Sequence, residues 1–259
     1  MATFLFDEII FGPVKSRRLG VSLGINLMPT HTKICSFDCI YCECGRNPKK
    51  REEKAKLPAR EEVKKRLAEV LKKMVAESQL PDVITFAGNG EPTLHPEFAE
   101  IINDTIELRN QFTPNARIAV LSNATMLHKK PVFGALKKIE DNIQKLDSAF
   151  EKTVEQMDCP QGYFNLKKVV EQLTDFKGNV IIQTMFIRGC YKRKTIDNTT
   201  EKEVLAWIEL LKKINPRQVM IYTIARDTPI DTLEKVPLPD LNQIAKQVEQ
   251  AGFSVQVSG

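Results

Sequence analysis

Short apolar runs alternate along this chain with longer stretches in which apolar residues return every three or four positions. The first run, 20–27 (GVSLGINL), predicts a strand. From Pro58 onward, Val63, Leu67, Val70, Leu71, Met74 and Val75 fall on one helical face. The run 82–87 (DVITFA) predicts a second strand, ending in Gly88-Asn89-Gly90. A helix after Pro96 carries Phe98, Ile101, Ile102, Thr105 and Ile106. The run 117–121 (RIAVL) predicts a third strand that stops at Ser122-Asn123, followed by a shorter helix near 132–139. The segment 142–147 predicts a fourth strand. Leu166, Val169, Val170, Leu173 and Phe176 make another helical face before a fifth strand at 179–187 (NVIIQTMFI). Val204, Leu205, Ile208 and Leu211 mark the next helix, on which Trp207 falls as a packing residue. A sixth strand at 218–224 (QVMIYTI), a helix through Leu241, Ile244, Ala245 and Val248, and a closing strand at 253–257 complete the series.

Strand and helix in regular alternation imply a parallel sheet with its helices outside. Right-handed crossovers curl such a sheet into a full or partial barrel, so the expected fold is α/β, a partial TIM barrel of the (β/α)6 type. There is no internal repeat and no low-complexity linker, so one domain is expected over 1–259, with the barrel at about 20–257 and a long loop at about 29–46. Reactive residues of such barrels sit at the C-terminal ends of the strands. Here those ends carry the 35–44 segment, Gly88-Asn89-Gly90-Glu91, Ser122-Asn123, Asp147, residues 183–188 and residues 223–226.

Composition narrows the picture. The chain has 259 residues, of which 42% are hydrophobic and 27% charged, which suits a folded chain with a sizeable core and argues against disorder. No apolar run approaches the ~18 residues that cross a bilayer, so no membrane partner is expected. The start, MATFLFDEII, is apolar only briefly, holds Asp7 and Glu8 and lacks a basic leader, so no secretory signal is expected. The net charge of +5 is mild. One run is more basic: Lys49, Lys50, Arg51, Lys54 and Lys56, either a solvated connector or a contact for phosphate or nucleic acid. There are six cysteines, and four of them, Cys35, Cys39, Cys42 and Cys44, lie within ten residues. That clustering points to metal rather than a disulfide framework, and to a reducing, cytoplasmic compartment.

Thiolates are soft ligands that select iron–sulfur clusters, zinc or Cu(I). A cube closed by protein takes four cysteines. Cys35, Cys39 and Cys42, spaced C-x3-C-x2-C, would grip three corners and leave one iron open, as catalysis requires and a structural site does not. The competing reading is a zinc-stabilised binding module that recruits Cys44 as fourth ligand, although zinc sites usually draw two pairs from separated segments.

C-x3-C-x-(aromatic)-C after a first strand, with Tyr41 as the aromatic residue, resembles the signature of the radical S-adenosylmethionine (SAM) superfamily. The resemblance runs from about Phe11 to Val257. Through FGPVKSRRLGVSLGINLMP, GNGEPTLHP, LSNAT and IYTIARDTP it extends to small radical SAM proteins related to the wyosine-type tRNA synthases. It implies a [4Fe–4S] cluster on Cys35, Cys39 and Cys42, with SAM chelating the open iron. One-electron reduction then releases a 5′-deoxyadenosyl radical that takes hydrogen from a substrate, whether tRNA, peptide or metabolite. A one-electron donor such as flavodoxin or ferredoxin is the implied partner.

The same resemblance gives the other motifs a place. Gly88, Asn89, Gly90 and Glu91 look like the glycine-rich motif that holds SAM's amino group, with Asn89 where a second glycine is commoner; a plain strand-to-helix turn is the alternative. Ser122, Asn123 and Asp147 stand where the family meets SAM's carboxylate or ribose, and the first two suit helix capping equally. Tyr41 is expected near adenine. Gln183, a polar residue in an apolar strand, needs partners that either a ligand or the core can supply. Arg188 and Arg226 are candidates for an anionic group or for surface ion pairs. Arg17 and Arg18 precede the barrel. Cys44, Cys159 and Cys190 are either ligands of a second cluster or free thiols.

Overall fold

The computed structural model describes residues 4–16, 19–49 and 55–259. Its main sheet has eight strands in the order β1 (Ile10–Ser16), β2 (Gly20–Ile25), β3 (Val83–Phe86), β4 (Arg117–Ser122), β5 (Asp141–Lys145), β6 (Ile181–Met185), β9 (Gln218–Tyr222) and β11 (Val255–Ser258). From β2 to β11 every pairing is parallel, and β1 is the antiparallel exception, folded back on β2. Each new strand is added on the same side as the last. That order keeps all the crossover helices on one face and curls the sheet into a half-barrel. The helices are α1 (Arg60–Ala76), α2 (Phe98–Phe112), α3 (Lys130–Leu136), α4 (Glu151–Met157), α5 (Leu166–Thr174), α6 (Glu201–Ile214) and α7 (Leu238–Gln250).

The period of two along each strand sorts the residues between two environments. Leu23, Ile25, Ile84, Phe86, Ile118, Val120, Ile182, Val219 and Ile221 face outward and join the apolar faces of the helices in one large core. Their neighbours Val83, Ala119, Ile143, Ile181 and Met220 face inward and, with Leu19, plug one end of the lumen. Further along the same strands, Ser22, Thr85, Leu121, Lys145, Gln183 and Tyr222 share that inner face. The lumen is therefore apolar at its base and polar toward the C-terminal strand ends.

Two departures from the expected elements have local causes. The run 179–187 breaks after Met185. Phe186 turns into the helical layer against Trp207, with ring centroids 5.4 Å apart, and the chain resumes as β7 (Ile187–Tyr191). That strand leaves the barrel to pair with β8 (Lys194–Asp197) and β10 (Leu233–Lys235). Asn198 fixes the break, because its side chain accepts from the Ile187 N–H at 2.9 Å and donates to the carbonyls of Met185 (2.7 Å) and Asp147 (2.9 Å). The second departure is β1, whose Gly12-Pro13 interrupts its apolar pattern and coincides with a shift of register. Arg17, Arg18, Lys50, Arg51 and Lys54 lie outside the described residues. Among the described residues no helix is long and apolar enough to cross a membrane.

Trp207 joins the two layers. It is fully buried, packs edge-on to Phe186 and donates its indole N–H to the Leu146 carbonyl at 3.1 Å. Trp207→Ala is expected to cost about 3–5 kcal/mol of stability, read as a lower urea midpoint with an unchanged slope.

Candidate functional site at the strand ends

The loop between β2 and α1 crosses the C-terminal ends of the strands and is fastened at several points. Ile34 forms a parallel bridge with Gly90: its N–H donates to the Asn89 carbonyl at 3.0 Å, and the Glu91 N–H donates to the Ile34 carbonyl at 3.1 Å. Phe37 bridges Pro160. The N–H groups of Asp38 and Ile40 donate to Asp158 (2.9 Å) and Met157 (2.8 Å). Asn47 closes the loop on itself, accepting from the Cys35 N–H at 3.0 Å and donating to the carbonyls of Cys35 and Phe37 at 3.2 and 3.0 Å. Arg46 ties Asp38 to the hydroxyl of Tyr191.

These fastenings hold Cys35, Cys39 and Cys42 half-buried; Cys44 and Cys159 are half-buried too, Cys190 is exposed, and all six are free of disulfides. Burial, reinforced by the nearby Glu91, pushes the Cys35 thiol up to about 12, and burial likewise holds Cys39 well above the ordinary range. Cys42 is lowered to about 6, because the Cys44 thiol bonds to it and the Lys33 ammonium lies beside it. Cys44 is correspondingly raised, and its sulfur also lies 3.4 Å from the Gly88 carbonyl. Lys33 is 3% exposed and donates to the Gly45 carbonyl at 2.8 Å. Burial alone would lower its pKa, but Cys42, Cys35 and Cys39 together raise it.

Each sequence candidate now has a position. The glycines of the GNGE motif serve the loop. A methyl at Gly90 would overlap the Ile34 carbonyl, one at Gly88 would overlap the Asn26 side chain, and both residues have positive φ. Asn89 is fully buried and bonds to the backbone of Phe6 and Pro29, so its side chain belongs to the framework. Glu91 is buried, with burial raising its pKa, and its carboxylate accepts from Thr93 (3.1 Å) and the Asn123 N–H (2.7 Å). Asn123 reaches Ser36 Oγ at 2.9 Å and the Cys35 sulfur at 3.6 Å. Ser122 accepts from the Ala124 N–H at 3.2 Å. Gln183 is buried and faces the lumen from β6.

Tyr41 and Asp147 are part of a buried network. The Tyr41 hydroxyl donates to Asp147 and Asp158, and Lys145 donates to both Tyr41 and Asp147. Asp147 uses its other oxygen to accept from the Met185 N–H at 2.9 Å, so both its oxygens are engaged by protein donors. Burial pushes Asp158 up to about 8; burial would lower Lys145, but Asp147, Asp158 and Cys39 hold it up. Of the arginines, Arg226 pairs with Glu43 at 2.8 Å, and Arg188, in the small sheet, pairs with Asp240 of α7 at 2.7 Å. Beneath the Glu43–Arg226 pair lies a cavity of about 660 Å³, walled by Phe4, Phe6 and Phe11 and floored by Ser22 and Thr85. Sequence reasoning passed over Lys33, Asn47, Lys145 and Asp158. Only Lys145 carried a signal, as a lysine at an inward position of β5.

The donor set can be tested against the two groups it was expected to hold. A single zinc ion needs ligands within ~2.3 Å of one point. No three His, Cys, Asp or Glu side chains converge that closely among the described residues, so nothing favours the zinc module. A cubane keeps its cysteine sulfurs further apart, and three half-buried thiols on one pinned loop, with Cys44 hydrogen-bonded to Cys42, are a donor set of the right chemistry for it. Residues 30–189 match the radical SAM superfamily. The chain belongs to that superfamily. A UPF0026 protein of Methanocaldococcus jannaschii is 32% identical over 222 residues, 84% of this chain and 64% of that protein. A UPF0026 protein of Helicobacter pylori is 33% identical over 226 residues, covering 84% and 67%. This radical SAM chain thus spans about two thirds of the length of these relatives. A radical SAM methyltransferase from Sphaerobacter thermophilus shares the fold with a TM-score of 0.68 at 12% identity, over 92% of this chain and 65% of that one. Membership of the superfamily implies a [4Fe–4S] cluster and SAM as cofactors.

The thiol environments give a direct check. In the metal-free protein, iodoacetamide is expected to label Cys42 well before Cys35 and Cys39 at neutral pH, with a rate that levels off above about pH 7, because the thiolate is the nucleophile. Peptide mapping by mass spectrometry after timed quenching reads the order; equal rates at the three positions would contradict it.

Proposed function

We propose that the chain is a radical SAM enzyme of the reducing cytosol, one domain over 1–259, whose [4Fe–4S] cluster is ligated by Cys35, Cys39 and Cys42. The observation that carries this reading is the loop itself. Three half-buried thiols are pinned across the strand ends, and a fourth, Cys44, is held against Cys42 and the Gly88 carbonyl. When bound, the two cofactors supply a 5′-deoxyadenosyl radical, formed by one-electron cleavage of SAM's S–C5′ bond, that takes hydrogen from a substrate.

The remaining assignments concern what the chain's residues do. Gln183, on the inner face, and Asn123, beside Cys35, present polar atoms to SAM. Glu91 and Ser122 stand behind Asn123 and orient it. Gly88 and Gly90 contribute backbone to SAM's amino group, while Asn89 keeps that backbone in place. Tyr41 offers its ring to adenine, steadied by Asp147 and Lys145. The aromatic-walled cavity beside Glu43 takes the substrate and keeps water from the reacting atoms. A one-electron donor such as flavodoxin or ferredoxin delivers the electron. Among substrates, tRNA comes before peptides and metabolites, on the exposed Lys49 and Lys56 that follow the cysteine loop.

Two experiments separate these levels. After anaerobic reconstitution, Cys44→Ala is expected to retain about four iron atoms per chain and SAM cleavage, as a cube needs no fourth protein thiolate here, whereas Cys39→Ala loses both. Loss of iron in Cys44→Ala with retention in Cys39→Ala would reverse the assignment. For the substrate, tRNA affinity is expected to fall roughly tenfold or more between 50 and 200 mM salt. A salt-independent affinity, or none, moves the search to peptides and metabolites.

A further inference from the structure

Lys33 is the one cation buried inside the cysteine loop among the described residues. It precedes Cys35 by two positions, is 3% exposed, and its ammonium donates to the Gly45 carbonyl at 2.8 Å from within the curve of the loop. Cys42, to which it hydrogen-bonds, Cys35 and Cys39 all act to keep it protonated. Asp38 lies 3.7 Å away but is shared with Arg46 at 3.3 Å, so it does not cancel the lysine charge. On the far side Glu91 faces Cys35, while Lys145 and Asp158 face Cys39 and largely offset one another. Burying an ammonium in this setting is costly unless negative charge stands nearby. Gly45 alone would not repay it; the Cys42 thiolate does so in part, and three cysteines held as thiolates by a bound cluster would do so fully.

We infer that Lys33 is the built-in counter-charge of the cysteine loop, which raises the reduction potential of the group those cysteines hold. The inference rests on the ligand assignment above. Reduction adds one electron from an external donor to the cluster, with no bond formed or broken, so the reduced state carries one more negative charge. A fixed cation at the loop's centre stabilises that state more than the oxidised one. Net charge, hydrogen bonds to sulfur and burial are the levers by which a protein sets such a potential. Lys33 combines all three at one position.

The test is a redox titration followed by electron paramagnetic resonance on reconstituted protein without SAM, using dithionite as the donor. Lys33→Gln keeps an N–H for the Gly45 carbonyl but removes the charge, Lys33→Met removes both, and Lys33→Arg keeps the charge. The expected result is an unchanged iron content and a reduction equilibrium weakened at least about tenfold in the Gln and Met variants, a fall of about 59 mV for one electron. Lys33→Arg is expected to stay near the wild type. Loss of iron from both neutral variants, with retention in Lys33→Arg, also supports a counter-charge. Neutral variants that load iron and titrate with the wild type overturn the proposal, and so does loss of iron from all three, which marks a packing role. Failure of the wild-type chain to load iron is a different outcome, because it removes the ligand assignment itself.

Discussion

The parallel bridge between Ile34 and Gly90 sets the position of everything at the open end of the barrel. It is an isolated bridge in the segment just past the end of β3, and it brings the cysteine loop down onto the strand ends. The bridge exists only because position 90 has no side chain and takes a positive φ. Gly88 does the same for the Asn26 side chain, which in turn accepts from the Asn89 N–H at 3.0 Å. The glycine motif is therefore first a docking surface for backbone, and any contact with a ligand is made by a strand end already shaped by that docking.

A second constraint is electrostatic. Three thiols share a small, largely dry volume, where an unpaired charge is expensive. The chain meets this with paired charges arranged around the loop: Lys33 within it, Arg46 and Asp38 at its turn, and the Tyr41–Lys145–Asp147–Asp158 network beneath Cys39. The network also joins elements distant in sequence, tying the loop to the ends of β5 and β6 through Tyr41 and the Met185 N–H. Position and charge are thus supplied by the same side chains. Such networks hold geometry firmly when complete and weaken it sharply when one member is removed.

Much of this was legible in the residues. The alternation of apolar runs gave the half-barrel, because outward and inward positions on a parallel strand must both be filled and the helices must cover one face. The cysteine spacing pointed to the superfamily, and the superfamily match over 30–189 agrees with that. Two kinds of feature were not legible. The break at Phe186 depends on Asn198, twelve residues further on, whose side chain replaces ladder hydrogen bonds; the run 179–187 contains no punctuation that announces it. The protein partners of Asn89 and Asp147 were also hidden. Both sit at strand ends where a ligand is expected, and only the packing of residues such as Phe6 and Met185 turns them inward to protein partners. Lys33 left no mark in the sequence, since a lone lysine beside a cysteine is ordinary on any surface.

The central claim is that three sulfurs, and not four, hold an iron cluster over the strand ends. Anomalous diffraction at the iron edge from anaerobically loaded crystals tests it most directly. The account predicts a four-iron peak bonded to the sulfurs of Cys35, Cys39 and Cys42, with Cys44 outside bonding distance. A single-atom peak, or one bonded to Cys44, would contradict it.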